Sequence, residues 1–396
     1  MPWLPDYTRR MGLPINYGTT LYDYQMKLRV NKYFSEGVPG IWLNGHCRDD
    51  FADVRFTGPD QVNPLSYWIE SIVPGSYMIV WIKVPQITGG TTTPVYVYYD
   101  NPPISTYDSN GPNTFFVYDH FDGTTLSPAW DTTGFSTSVS NSILTVWNGD
   151  YGGIIWKSTQ FNNVAIEARM KSSGTNPVIG LIGRKNTSNG DDFTNMVLAS
   201  YGVSSGAFGR HNIRMAYYLG NAPPIVLGSA QYPNDTWRRQ KLFMYSSTYT
   251  SEVYDDSNNL IERISGNNTE RTTGFIGMYH EYFDKSNYID YIIVRNYISP
   301  EPTFGSPYPE ELDITAVEPF TLSSNTCLGP CSISAGVTWH NYGNNSVTFR
   351  PAVLIDGTTF AYATTDLTIL SGQDGYAIIV TPTLSLGSHN ICPYPN

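Results

Sequence analysis

The chain has 396 residues, of which 14% are charged and 14% aromatic, with 30 Tyr, 9 Trp, 35 Gly and 27 Pro and a net charge of −11. That length predicts two to four domains, each able to bury a core without staples, and the composition is the turn-rich one of β structure, which excludes long amphipathic helices. The acidic balance excludes nucleic acid as a partner, since phosphate backbones need clustered Lys or Arg, and no run of about 18 apolar residues is present to span a membrane.

The start, MPWLPDYTRR, lacks the basic n-region and apolar h-region of a signal peptide. A trimmed mature chain, another export route and a virion protein assembled inside its host all stay open. Residues 1–114 read as a β domain through YQMKLRV, ADVRFTG, SYWIESI, YMIVWIKV and PVYVYYD, short runs bounded by Gly, Pro, Asn and Asp. Asp53 and Arg55 sit two apart on one of them, so they are expected to share a face as an ion pair. In order and spacing, WLPDYTRRMGLPI, LYDYQMKLRV, DDFADVRFTGPD, LSYWIES, VWIKVPQI and VYVYYDNP resemble DUF2341, a family of modules of unknown function, from Trp3 to about Tyr107. The resemblance implies a setting in large surface or secreted proteins of archaea, bacteria and their viruses, commonly ahead of a lectin-like sandwich. It brings no catalytic residue.

Residues 115–298 run from FFVYDHFD to YIDYIIVRNY through eleven or twelve predicted strands without a helix, which calls for two stacked antiparallel sheets. Within VAIEARMKS, alternation places Val164, Ile166, Ala168 and Met170 on one face and Glu167, Arg169 and Lys171 on the other. The entry VYDHFDG…LSPAW, the pair SNSILTV and YGGIIWKS, the strand VAIEARMK and the exit YIDYIIVRNY resemble the concanavalin A-like lectin/glucanase (LamG-like) sandwich. Relatives with this entry and exit hold a structural Ca²⁺ where first and last strands meet, which implies Asp290, with Asp119 and Asp122, as ligands. Glucan-cleaving members alternate acids along one strand as Glu-x-Asp-x-x-Glu. That string is absent; the nearest, Glu252 with Asp255 and Asp256, runs into a hairpin turn. A sugar-binding sheet remains, with Trp147, Tyr151, Trp156, Tyr217, Tyr218, Tyr279 and Tyr282 as stacking candidates and Arg169, Arg184 and Arg214 as polar ones.

Residues 299–312, SPEPTFGSPYPEEL, hold four prolines and read as a stiff linker. Residues 313–396 give six or seven strands, and VTWHNYGNNSVTFRPAVLIDG resembles an immunoglobulin-like, adhesion-type (CARDB-like) domain with Trp339 in its core. If that fold holds, the last strand ends beside the loop joining the first two, and Cys392 would bridge to Cys327 or Cys331, suiting an oxidising compartment; Cys47 would be a free thiol. Asn-x-Ser/Thr triplets at Asn186, Asn234, Asn267 and Asn344 suit a glycosylated exterior.

No serine-nucleophile elbow, His-Glu-x-x-His, phosphate-binding loop or Cys-x-x-Cys is present. The expectation is therefore an all-β protein of three β-sandwich domains, the central one a concanavalin A-like jelly roll and the last immunoglobulin-like. It would act outside the cell, on a cell surface or in a virion, binding a glycan or surface polysaccharide or mediating adhesion without catalysis. The alternatives are a structural subunit that associates with itself or with neighbouring surface proteins, and a polysaccharide hydrolase or lyase with an atypical site.

Overall fold

The structure, a computed structural model, describes residues 4, 7–101, 103–148, 151–173, 178–188, 196–202, 212–218, 235–267, 269, 271–281, 286–308, 311–312, 314–323, 330–341, 346–370, 372–385 and 388–395. The chain divides into two compact units, Met1–Asn110 with Pro302–Asn396, and Gly111–Glu301. Among the described residues the fold is all-β, with a single four-residue helix.

The amino-terminal part of the first unit holds β1 (Arg9–Asn16), β2 (Leu21–Asn31), β3 (Ile41–Trp42), β4 (Arg55–Thr57), β5 (Tyr67–Val73), β6 (Tyr77–Ile87) and β7 (Thr92–Tyr99). One sheet runs β3-β2-β6-β5 and the other contains β1-β7-β4. Each buries an alternating apolar set, such as Met26, Leu28 and Val30 of β2 and Val95 and Val97 of β7. Gly75, at φ +70°, closes the tight β5–β6 turn, a conformation that glycine adopts without a Cβ penalty. The expected Asp53–Arg55 pair does not form, because β4 begins only at Arg55 and Asp53 lies in the preceding turn. Asp53 is buried and accepts main-chain N–H groups of Arg48 (3.0 Å) and Asn101 (3.4 Å), while Arg55 donates to Asp108 at 2.5 Å.

The second unit holds α1 (Gly111–Thr114), β8 (Val117–Asp119), β9 (Trp130–Asp131), β10 (Ser136–Ser140), β11 (Ile143–Trp147), β12 (Tyr151–Phe161), β13 (Val164–Ser172), β14 (Val178–Lys185), β15 (Met196–Gly202), β16 (Asn212–Tyr218), β17 (Arg238–Tyr245), β18 (Thr248–Tyr254), β19 (Leu260–Asn267), β20 (Gly274–Glu281) and β21 (Asn287–Asn296). An eight-stranded sheet runs β10-β11-β21-β13-β17-β18-β19, with β8 also on β21, and a six-stranded sheet runs β16-β15-β14-β20-β12-β9. One core joins them: Val164, Ile166, Ala168 and Met170, the inward face read from the sequence, meet Ile154, Ile179, Leu181, Ile276 and Met278 of the other sheet. This is the packing of a β-sandwich, in which each sheet gives one face to a common apolar layer.

The carboxy-terminal part of the first unit adds β22 (Glu311–Leu312), β23 (Ile314–Leu322), β24 (Ser334–Asn341), β25 (Val347–Phe349), β26 (Pro351–Ile355), β27 (Thr359–Tyr362), β28 (Leu367–Ile369), β29 (Asp374–Val380) and β30 (Ile391–Pro395). Their sheets, β23-β24-β29, β25-β28 and β27-β26-β30, surround a core centred on the fully buried Trp339. The proline-rich stretch does not stand free as a spacer. Prolines lack an N–H, but Gly305 and Tyr308 between them donate to Pro14 and Gly12 of β1 at 2.8 Å each, and β22 then pairs with β1.

The cysteines depart from expectation. Cys392, paired with Leu354 on β30, is a free, exposed thiol and makes no bridge, whereas Cys331 is disulfide-bonded and Cys327 lies outside the described residues. Cys47 is free and buried, and burial pushes its thiol up to about 12. A disulfide reagent should therefore label Cys392 at once and Cys47 only after unfolding, since the thiolate is the reactive species. Mass spectrometry of the folded chain checks this, and rapid labelling of Cys47 would contradict it.

Candidate functional site

The sequence candidates do not gather into one site. Trp156 packs against the core, edge-on to Trp130 at 5.1 Å, and Tyr279 is buried among Ile155, Val178, Ile182, Met196 and Leu198 on the other face of the six-stranded sheet. Tyr279 is thus held in an apolar cluster and Trp156 against the core, so neither ring stands on the polar face of β13. Arg184 is fully buried on β14 and donates to Tyr249 Oη at 3.0 Å and the Arg271 carbonyl at 2.9 Å, far in character from a solvent-facing polar row. Trp147 is half-buried at the end of β11. The side chains of Tyr151, Arg214, Tyr217 and Tyr218, and the whole of Tyr282, lie outside the described residues.

The acids proposed for calcium do not converge either. Asp119 is opposite the core residue Ile292 and accepts from Phe121 N (2.9 Å) and the core indole Trp130 Nε1 (2.8 Å). Asp290 is the extra residue of a β-bulge, where Arg169 and Met170 face Tyr291 and Ile289. A bulge re-aims the side chain it carries, and the Asp290 carboxylate is turned to the outer face, 2.8 Å from Arg169 Nη1. Asp122 is exposed and accepts from Ser142 Oγ at 2.8 Å. With two of the acids on opposite faces of one sheet, this set does not fit a six- to eight-oxygen calcium site.

The polar surface that does assemble is the outer face of the eight-stranded sheet. Register aligns Ile293, Glu167, Lys241, Glu252 and Arg263 across five neighbouring strands, with Arg295, Ala165, Phe243, Thr250 and Ser265 in the next outward row. Glu167 accepts from Lys241 (3.2 Å) and Tyr291 Oη (3.1 Å); Glu252 accepts from Arg263 Nε (2.6 Å) and from the Tyr254 phenol. Burial first, and then the Glu252 carboxylate, raise the Tyr254 phenol above its ordinary range. Arg169 holds Asp256 with both arms of its fork (2.7 and 2.9 Å), and its guanidinium lies 4.4 Å from the centre of the Trp237 ring. Lys171 lies over both Trp237 and Tyr288.

Half-buried aromatic rings are thereby interleaved with fixed charges: Trp237, Tyr288, Tyr254, Phe243, Tyr245 and Tyr297, the last 4.9 Å from Phe243. The small Ala165 lies between Arg295 and Phe243 in a shallow surface dip lined also by Glu167, Lys241 and Ile293. Five cations of this face have an acid beside them: Lys171 with Asp235, Arg169 with Asp256 and Asp290, Lys241 with Glu167, Arg263 with Glu252, Arg295 with Glu301; a sixth, Arg239, stands between Arg169 and Tyr254 and adds its charge near Asp256. The surface is thus close to neutral on an acidic chain. Sequence reading missed Trp237, Lys241, Phe243 and Tyr254; the alternation of RRQKLFMYS, which sets Arg239, Lys241, Phe243 and Tyr245 on one side, was the available signal.

Residues 50–133 match the family described as Domain of unknown function (DUF2341). The match starts within the first β part and extends past Gly111 into the second unit, a later placement than the resemblance suggested. No curated protein matches the chain. Solved structures it is similar to include the carbohydrate-binding module CBM66 from Bacillus subtilis (11% identity, 46% of this chain and 97% of that one, TM-score 0.29). A protein of unknown function with a galectin-like fold from Bacillus subtilis is also similar (13%, 46% and 96%, TM-score 0.36), as is the GH43 BlXynB protein from Bacillus licheniformis (11%, 59% and 46%, TM-score 0.36). At such scores each is a similarity and nothing more.

Proposed function

We propose that the chain is a non-catalytic glycan-binding protein acting outside the cell, on a cell surface or in a virion, and that it grips its ligand with the outer face of the eight-stranded sheet. The observation that carries this is the interleaving of half-exposed rings with charged side chains already locked in place. Rings supply flat apolar contact for the C–H faces of a sugar, and pre-ordered polar groups supply hydrogen bonds at little further cost in side-chain freedom. Because acids and cations balance across this face, the ligand class favoured is an uncharged polysaccharide. The disulfide at Cys331 suits an oxidising compartment.

Catalysis is not favoured by this arrangement. Glu167 and Glu252 lie on either side of Lys241 in one cross-strand row, so the lysine stem fills the gap in which a sugar ring would sit between two acids. Affinity electrophoresis in polysaccharide gels, together with a glycan array, tests the binding. Retardation by a neutral glycan is expected, weakened at least tenfold by Trp237→Ala and unchanged by Tyr22→Ala, an exposed ring elsewhere. Silence across a broad array, with calcium supplied, would sink the reading, and release of reducing ends would replace it with an enzymatic one.

A further inference from the structure

Among the described residues, six of the sixteen large apolar side chains left exposed fall between positions 360 and 380: Phe360, Tyr362, Leu370, Tyr376, Ile378 and Val380. Three of these alternate along β29, with 54%, 57% and 58% of their surface exposed. β29 is an edge strand, paired on one side with β24 and, among the described residues, with nothing on the other. We propose that β29 is a self-pairing edge through which two copies of this chain associate about a two-fold axis. This goes beyond the glycan reading and does not depend on it.

The phase of the hydrogen bonds carries the argument. Asn341 N–H donates to the Gln373 carbonyl and Thr381 N–H to the Ile333 carbonyl. With the register Gly336↔Ile378, the odd-numbered residues of β29 therefore spend their main-chain groups on β24, and the even-numbered ones turn theirs to the open edge. The even-numbered residues are also the ones whose side chains are exposed. Antiparallel pairing of two β29 strands centred on Ile378 places Ile378 opposite its own copy and Tyr376 opposite Val380, aromatic against β-branched, with about six main-chain hydrogen bonds.

Charge and sequence agree with that register. From Gly375 to Val380 the strand carries no ionisable carboxylate or cation, and Asp374, which is held by His340, falls opposite Pro382, well away from its counterpart. Pro382 has no N–H, so the ladder stops there. Residues 306–396 hold seven acids against Arg350 alone, so the two copies repel at long range. One strand pair with three side chains on each buries less than a standard interface of about 1,200 Å², which makes the association weak, with a dissociation constant of about 10–100 µM, and strengthened by salt that screens the repulsion.

Sedimentation velocity on the full chain, from about 5 to 300 µM at low and at about 0.5 M salt, tests this. The expected result is a monomer–dimer equilibrium that tightens with salt. Ile378→Lys should raise the dissociation constant at least tenfold, because it sets two ammonium groups face to face. Ile378→Pro should do the same by removing an open-edge N–H that β24 does not use, and Ile378→Val should leave the dimer intact. Circular dichroism melts of all three should match the parent. A monomer throughout the range, or association by Ile378→Lys and Ile378→Pro equal to the parent's, overturns the proposal whatever the glycan array reports.

Discussion

Replacing Trp339 with alanine is expected to destabilise the carboxy-terminal sandwich by about 3–5 kcal/mol, the range for removing a buried tryptophan. The indole is fully buried at the centre of its core, edge-on to Phe349 at 5.4 Å, with Val337, Val353 and Ile379 among its neighbours in the cluster. Alanine would leave a hole that strands fixed on both sides cannot close. Trp339→Phe should cost far less, about 1 kcal/mol, because Trp339 Nε1 is buried without a hydrogen-bond partner and phenylalanine removes that polar burden along with part of the ring. Amide hydrogen exchange across β24, β26 and β29 of each variant measures the difference. Equal losses for the two variants would mean that the site is not held by packing.

Arg169→Ala should cost about 2–4 kcal/mol at neutral pH, in the range for removing one partner of a partly buried ion pair. One guanidinium satisfies two aspartates and covers Trp237, so alanine leaves two carboxylates with no cation between them and an uncovered ring. The Asp256 side chain is 48% exposed, so solvent screening places the expected value in the lower half of that range. Arg169→Lys keeps the charge but loses the bidentate fork, and should recover about half of the loss. The hydrogen bond from Arg169 holds the Asp256 carboxyl below its ordinary range. A depressed folded value contributes stability above the unfolded value of about 3.9, and that contribution disappears as pH falls through the folded one. The gap between parent and Arg169→Ala should accordingly be full near neutrality and shrink in acid. Urea unfolding at pH 7 and pH 3 reads this directly, and a gap independent of pH would mean that the loss comes from ring packing alone.

Much of the second unit's architecture was legible in one strand. VAIEARMKS alternates with period two, so which residues enter the core follows from the chain alone, and Val164, Ile166, Ala168 and Met170 do enter it. Trp339 was legible for the same local reason. The site was less so. Arg169 lies on the outward face that the alternation of VAIEARMKS predicts, and there it is a structural clamp whose partners, Asp256 and Asp290, lie 87 and 121 positions away. No local pattern encodes a partner at that distance. The bulge that turns Asp290 outward exists only once β21 lies on β13, and it moved an acid expected for calcium to the other face of the sheet.

What the sequence determined by itself, then, was the all-β class, the strands, and the inward and outward residues of the alternating ones, because these depend on neighbours two positions apart. Tertiary structure alone decided which apolar outer face is closed, as at Tyr279 and Ile182, which charges meet across strands, that Cys392 stays free, and which edge is left unpaired at Tyr376, Ile378 and Val380. Each of those depends on which strands are neighbours and in what register, and register is a relation between distant segments that no single stretch contains.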